Sequence, residues 1–89
     1  MSEIFENIKI KIKVFPTQSG VYLMKNSADK IIYIGKAKNL RNRVKNYFQD
    51  SKDFSAKTKA LVMNIFEIEY LLTKTEVEAF LLEASLIKK

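Results

Sequence analysis

The chain has no cysteine and no histidine among its 89 residues, and proline occurs once and glycine twice. Without cysteine no disulfide can staple the fold, and no thiolate can bind metal or attack a substrate. Without histidine the usual general base near neutral pH is missing, and so is the commonest metal ligand. Any chemistry must come from Tyr, Lys, Arg, Asp or Glu. No apolar run approaches the ~18 residues of a membrane span, and the N-terminus carries no signal-peptide pattern, so a cytoplasmic protein is expected.

The residues present suit one small domain covering 1–89, with 47% hydrophobic and 29% charged side chains. Net charge is +6, which fits a polyanionic partner such as nucleic acid or simply a soluble basic surface. All but two of the 16 basic residues are lysine; Arg41 and Arg43 are the only arginines.

Ile4, Phe5, Ile8 and Ile12 fall at helical spacing, predicting a short amphipathic first helix. Pro16 and Thr17-Gln18-Ser19-Gly20 break that pattern. Residues 21–25 and 31–34 read as two strands around the turn residues Asn26-Ser27-Ala28-Asp29, with Gly35 stopping the second. Leu40, Val44, Tyr47 and Phe48 follow an i, i+4, i+7, i+8 helical pattern. A loop is expected over 49–53, then a helix capped by Ser55 and running to about Met63. Residues 65–72 alternate as a third strand. Thr73 and Glu76 have capping-box spacing ahead of an apolar last helix. The expected fold is a small α/β (α+β) sandwich around a three-stranded, mainly antiparallel sheet. The chain stops on Ile87-Lys88-Lys89 with no helix stop signal, which reads as a cut within a longer, multidomain protein.

Three features could carry chemistry. If residues 22 and 33 pair across the hairpin, Tyr22 and Tyr33 share one face, where two phenols could orient a water or a phosphate. Aromatic sheet filler is the plainer reading. The segment Gly35-Lys36-Ala37-Lys38-Asn39-Leu40-Arg41-Asn42-Arg43 places a glycine and several cations at a helix start. Backbone amides and basic side chains could there meet a phosphate, with Arg able to bind it bidentately. A solvated basic helix face is the alternative. Glu83 lies in Leu81-Leu82-Glu83-Ala84-Ser85-Leu86-Ile87, where burial is costly unless the carboxylate is paired or holds a cation. On a helical wheel it flanks a core stripe of Val77, Phe80, Leu81 and Ala84, so it could also face water. One carboxylate, two phenols, a lysine and an arginine suffice for one-metal phosphodiester hydrolysis without histidine.

Gly20-Val21-Tyr22, followed after ten residues by Tyr33-Ile34-Gly35, resembles the defining pair of the GIY-YIG nuclease superfamily. The stretch from Gly35 to Val44, with Tyr47-Phe48, resembles one branch of it, the N-terminal domain of the UvrC excinucleases. So does Glu76-Val77-Glu78-Ala79-Phe80-Leu81-Leu82-Glu83-Ala84-Ser85-Leu86-Ile87-Lys88. The match spans roughly residues 15–89.

The resemblance implies a catalytic set of Tyr22, Tyr33, Lys36, Arg43, Tyr47 and Glu83. Glu83 would be the sole protein ligand of one divalent metal, Mg²⁺ or Mn²⁺, with waters completing its shell. One of Tyr22 and Tyr33 would deprotonate or orient the attacking water; Tyr33 is favoured for that, with Tyr22 in support. Arg43 would stabilise charge on the phosphate, while Lys36 and Tyr47 orient the water network. Lys38, Arg41 and Lys45 are further candidates for DNA contact. By the same resemblance, the activity is the 3′-side incision near lesions in bacterial nucleotide excision repair. Damaged double-stranded DNA would be the substrate. A UvrB-like loading subunit would act through other domains, and a UvrA-like damage-recognition subunit indirectly. The chain departs from the family at Ser85, where Asn is usual, and a family segment carrying an active-site Asn would lie past Lys89. Two other readings are a catalytically silent DNA-binding or docking module of this fold, and a homing or restriction-type GIY-YIG nuclease.

Overall fold

A computed structural model describes residues 3–49 and 54–88. Four helices and three strands follow in the predicted order: α1 (Glu3–Ile12), β1 (Gly20–Lys25), β2 (Ile31–Ala37), α2 (Leu40–Asn46), α3 (Ala56–Asn64), β3 (Glu67–Leu72) and α4 (Glu76–Ile87). Most of the loop expected over 49–53 lies outside the described residues. Among the described residues no helix is long and apolar enough to cross a membrane.

The sheet has the order β2-β1-β3, and both pairings are antiparallel. The central strand β1 carries Val21, Tyr22, Leu23 and Met24, all buried. Such a run suits a strand covered on both faces, because alternate side chains go to opposite sides of a sheet. On the face of Tyr22 and Met24 lies the main core, with Ile8, Ile12 and Phe15, Leu40, Val44 and Phe48, and Ile65 and Ile68. Helices α1 and α2 pack together there. Helix α4 packs on β1 and β2, covering the opposite face.

The hairpin register differs from the expected one. Tyr22 sits opposite Gly35, and Tyr33 opposite Met24. The two tyrosines are diagonal neighbours on one face; a slip of two residues preserves the face, where a slip of one would have reversed it. The difference arises at the loop. Asn26 accepts bonds through its side-chain oxygen from the backbone N–H groups of Ala28 and Lys30, at 2.9 and 3.1 Å, and Asp29 takes a left-handed conformation at φ 62°. The loop thus takes in Lys30, and the ladder shifts between Met24 and Lys25. Gly35 does not stop β2, which continues through it to Ala37.

Helix caps follow local side-chain chemistry. Asn39 caps α2 by accepting from the N–H of Asn42, and Ser55 caps α3 by accepting from Thr58, both at 3.1 Å. For α4 the expected cap is displaced by two residues. Thr75, not Thr73, accepts from the N–H of Glu78 at 3.1 Å, and Glu78 accepts from the N–H of Lys74 at 3.2 Å. Both Thr73-x-x-Glu76 and Thr75-x-x-Glu78 have the right spacing. Thr73 is buried, and its hydroxyl is already engaged in donating to the carbonyl of Thr75.

The inward face of α4 is also not the expected one. Val77, Phe80 and Leu81 are 68%, 55% and 60% exposed, whereas Ala79 is buried. Apolar residues occur all around this helix, so the wheel does not select one stripe. The small Ala79 lets the helix approach the sheet, and Glu83 turns with it to the inner side, at 20% side-chain exposure.

Replacing the cap, Thr75→Ala, is expected to cost about 1 kcal/mol in unfolding free energy. Urea unfolding of this variant beside Thr58→Ala, which leaves the α4 cap intact, checks it; equal losses would contradict the assignment of Thr75 as cap.

Candidate active site

The site forms where the edge strand β2 passes between α2 and α4. Alternation along β2 sends Tyr33 and Gly35 to the face of Tyr22, and Lys36 to the face covered by α4. Phenols therefore approach the edge from one side and the Lys36–Glu83 pair from the other.

Tyr22 is fully buried and its ring crosses directly over Gly35. A Cβ built on Gly35 would lie 2.2 Å from Cζ of Tyr22 and 2.3 Å from its hydroxyl oxygen. No larger residue fits without displacing the ring. The glycine thus acts as a slot through which the Tyr22 hydroxyl reaches Tyr47, 2.9 Å away. Tyr47 immediately follows α2, and Arg43 stands one helical turn earlier, on the same flank. The Arg43 guanidinium interacts with the Tyr22 hydroxyl and is held more firmly protonated by it.

Tyr33, 39% exposed, completes a ring cluster. Its centroid lies 6.1 Å from that of Tyr22 and 6.4 Å from that of Tyr47, and the Tyr22–Tyr47 separation is 6.0 Å. Across the edge, the Lys36 ammonium lies 4.0 Å from Glu83 Oε1 and 5.5 Å from the Phe80 ring centroid. At that distance, with Lys36 half-exposed, the ion pair is weak. The negative charge of Glu83 also reaches the Tyr33 phenol, linking the two halves of the site.

All three phenols are pushed above the ordinary tyrosine value. For Tyr22 burial is the main cause and outweighs the opposing bonds to Tyr47 and Arg43. For Tyr33 burial again leads, followed by its interactions with Tyr47. Tyr47 is pushed up to about 12, by burial first and by its bond to Tyr22 second. The three hydroxyls are consequently neutral hydrogen-bonding groups over the physiological range. The Tyr22–Tyr47 hydrogen bond is the centre of this cluster, with Tyr33 and Arg43 interacting with it from either side.

The structure thus brings together Tyr22, Tyr33, Tyr47 and Arg43, and joins Lys36 and Glu83 to them across the strand. It does not bring the backbone amides at the start of α2 to an open phosphate site. Leu40 N–H donates to the carbonyl of Gln18 and Arg41 N–H to that of Pro16, each at 3.1 Å, and Asn39 takes that of Asn42. Lys38 is exposed beside Lys36. Arg41 and Lys45 lie on the far flank of α2, where Arg41 Nε donates to the Phe15 carbonyl at 2.8 Å. The slot role of Gly35 was missed in the sequence; the register that sets Gly35 opposite Tyr22 was the signal needed. No cluster of three or more acidic, histidine or cysteine side chains that could hold a metal occurs among the described residues. A metal here would rest on one carboxylate and water, which suits Mg²⁺, an ion that dehydrates reluctantly.

Residues 18–89 match the model of the UvrC-like GIY-YIG domain family. The chain is 77% identical over 88 residues to UvrABC system protein C of Bdellovibrio bacteriovorus, covering 99% of this chain and 14% of that protein. It is 55% identical over 83 residues to UvrABC system protein C of Clostridium beijerinckii, covering 93% of this chain and 13% of that one. It therefore spans about a seventh of the length of these relatives. Among solved structures, it resembles the GIY-YIG N-terminal endonuclease domain of UvrC from Thermotoga maritima bound to its catalytic divalent cation, magnesium. Identity is 39% and the TM-score 0.79, covering 99% of this chain and 91% of that one. A tyrosine-to-phenylalanine variant of that domain, also bound to the catalytic divalent cation, matches at 38% identity and the same TM-score.

The raised Tyr47 has a consequence in alkali. In the unfolded chain a phenol ionises near pH 10, whereas Tyr47 in the fold holds its proton to about 12. Its contribution to stability is complete below about pH 10 and is lost as pH rises towards 12, because the unfolded state gives up its proton first. Melting temperatures between pH 9 and 12 should therefore decline more steeply for the wild type than for Tyr47→Phe; parallel declines would contradict the buried, hydrogen-bonded Tyr47.

Proposed function

The chain belongs to the UvrC-like GIY-YIG domain family, and from that membership we propose that it is a metal-dependent DNA endonuclease domain. Its task would be the 3′-side incision near lesions in bacterial nucleotide excision repair. The observation that carries this reading is the meeting of Glu83 with Lys36, Arg43 and three clustered phenols at one sheet edge. A docking module has no use for a half-buried carboxylate beside neutral phenols and an arginine.

In this reading Glu83 holds the divalent metal, Mg²⁺ or Mn²⁺, through its single carboxylate. When bound there, the metal would supply Lewis-acid chemistry to the phosphodiester. Tyr33 is the phenol that is both exposed and close to Glu83, so it holds the attacking water and accepts its hydrogen bond. Tyr22, fully buried, cannot meet solvent directly. Together with Tyr47 it fixes the orientation of Tyr33 and Arg43. Arg43 binds a non-bridging oxygen of the scissile phosphate and stabilises the charge that grows there. Lys36 stands beside the Glu83 carboxylate and would orient water there.

The substrate would be damaged double-stranded DNA in the bacterial cytoplasm. Within a longer protein of which this domain would be one part, a UvrB-like subunit would deliver it to the lesion. A UvrA-like subunit would act earlier, in finding the damage.

The test uses the protein in the context of its full-length homologue, with its loading subunits, Mg²⁺ and a lesion-bearing duplex. Arg43→Ala is expected to slow the 3′ nick by about 10²–10³, the size of removing one oxyanion-stabilising donor, and to leave the cut on the 5′ side of a pre-nicked duplex intact. A 3′ nick of unchanged rate would show that this domain does not cut.

A further inference from the structure

Only some of the described lysines face a carboxylate, and of those that do not, three stand together with an arginine. Lys11 meets Glu67, Lys25 meets Asp29 and Glu69, and Lys36 meets Glu83. Lys9, Lys13 and Lys45, with Arg41, meet no carboxylate among the described residues. These four line one cleft of about 550 Å³ between α1 and α2, with Ile12 and Phe48 as its floor. Among the described residues no acidic side chain lines it.

Helix α2 separates this cleft from the candidate active site. Leu40 and Val44 point into the core. At 100° per residue Arg43 then falls on one flank of the helix, and Arg41 and Lys45 on the other. A helix with its side chains is about 10–12 Å across, and each strand of duplex DNA presents a phosphate about every 3.4 Å along the axis. The cleft is thus about three phosphates from Arg43. Arg41 is pinned by its Nε bond to the Phe15 carbonyl, which fixes the guanidinium without using its terminal nitrogens. The floor residues Ile12 and Phe48 are nearly buried, at 4% and 7%; most of the cleft's exposed lining is apolar, and what suits it to a polyanion is the four cations gathered around it.

We propose that the α1–α2 cleft grips the phosphate backbone of duplex DNA beside the cutting site, Lys9 and Lys13 of α1 closing on it opposite Arg41 and Lys45 of α2. This contact rests on the nuclease reading for its substrate, but adds an element, α1, that lies outside the matched residues 18–89. It fixes the register of the duplex against α2 without touching the reacting atoms.

The test is binding of a fluorescent 20-base-pair duplex by the 89-residue chain in EDTA, across a salt series. Three proteins are compared: wild type, Lys9→Ala/Lys13→Ala, and Lys57→Ala/Lys59→Ala, the last losing the same charge from α3. The α1 variant should bind about tenfold more weakly near 0.1 M salt, with the log–log salt slope flatter by about 1–2, since each phosphate contact contributes about 0.9. The α3 variant should behave as wild type. Equal losses in both variants, or none in either, would overturn the proposal by showing a bulk charge effect or no contact. Loss of binding to a polyglutamate peptide with DNA binding unchanged would overturn it too, assigning the cleft to a protein partner. Metal-dependent nicking is measured separately. If wild type does not nick but its duplex binding still depends on Lys9 and Lys13, the nuclease reading fails and the cleft stands.

Discussion

Tyr22 is a phenol buried in the middle of the central strand, and a buried hydroxyl left without partners costs several kilocalories per mole. The arrangement around it supplies them. Gly35 on the neighbouring strand removes the side chain that would block the ring. The cap at Asn39 and the loop carbonyls of Pro16 and Gln18 hold the start of α2. From that fixed start, Arg43 and Tyr47 reach the Tyr22 hydroxyl on successive turns. The same partners that satisfy a core tyrosine thereby place a guanidinium and a second phenol at the sheet edge. Stability and positioning share one set of contacts.

Edge-strand alternation adds the rest. β2 has β1 on one side only, so residues from both of its faces can converge at the open side. Tyr33 comes from one face and Lys36 from the other. Glu83 joins Lys36 because Ala79 turns that side of α4 towards the sheet. The cost is visible in the exposed Val77, Phe80 and Leu81. The helix leaves large apolar residues outside so that a carboxylate can be inside, a choice that folding alone does not favour.

The order of elements was legible in the sequence because hydrophobic periodicity, turn residues or a capping side chain marks each one. Leu40, Val44 and Phe48 repeat at helical spacing, and Ser55 precedes a helix it caps. What was not legible depends on relations between elements. The hairpin register turned on how Asn26 folds the loop from Asn26 to Lys30, which moved Tyr33 from opposite Tyr22 to opposite Met24. Two threonines had equal capping spacing, and only the burial of Thr73 decides between them. The inward face of α4 was hidden because the helix is apolar all round. The residue types of the site could be proposed from motif resemblance, but the Tyr22–Tyr47 bond within the phenol cluster and the position of Glu83 inside the fold needed tertiary structure.

The central claim is that Glu83 is a metal-holding carboxylate and not a structural partner of Lys36. Calorimetric titration of Mg²⁺ and Mn²⁺ into wild type and Glu83→Gln, with melting curves of both metal-free proteins, tests it most directly. The account predicts one ion bound per wild-type chain, no binding to Glu83→Gln, and metal-free melting temperatures that agree closely. Retained binding in Glu83→Gln, or a large fall in its metal-free melting temperature, would contradict the account and make Glu83 a structural residue.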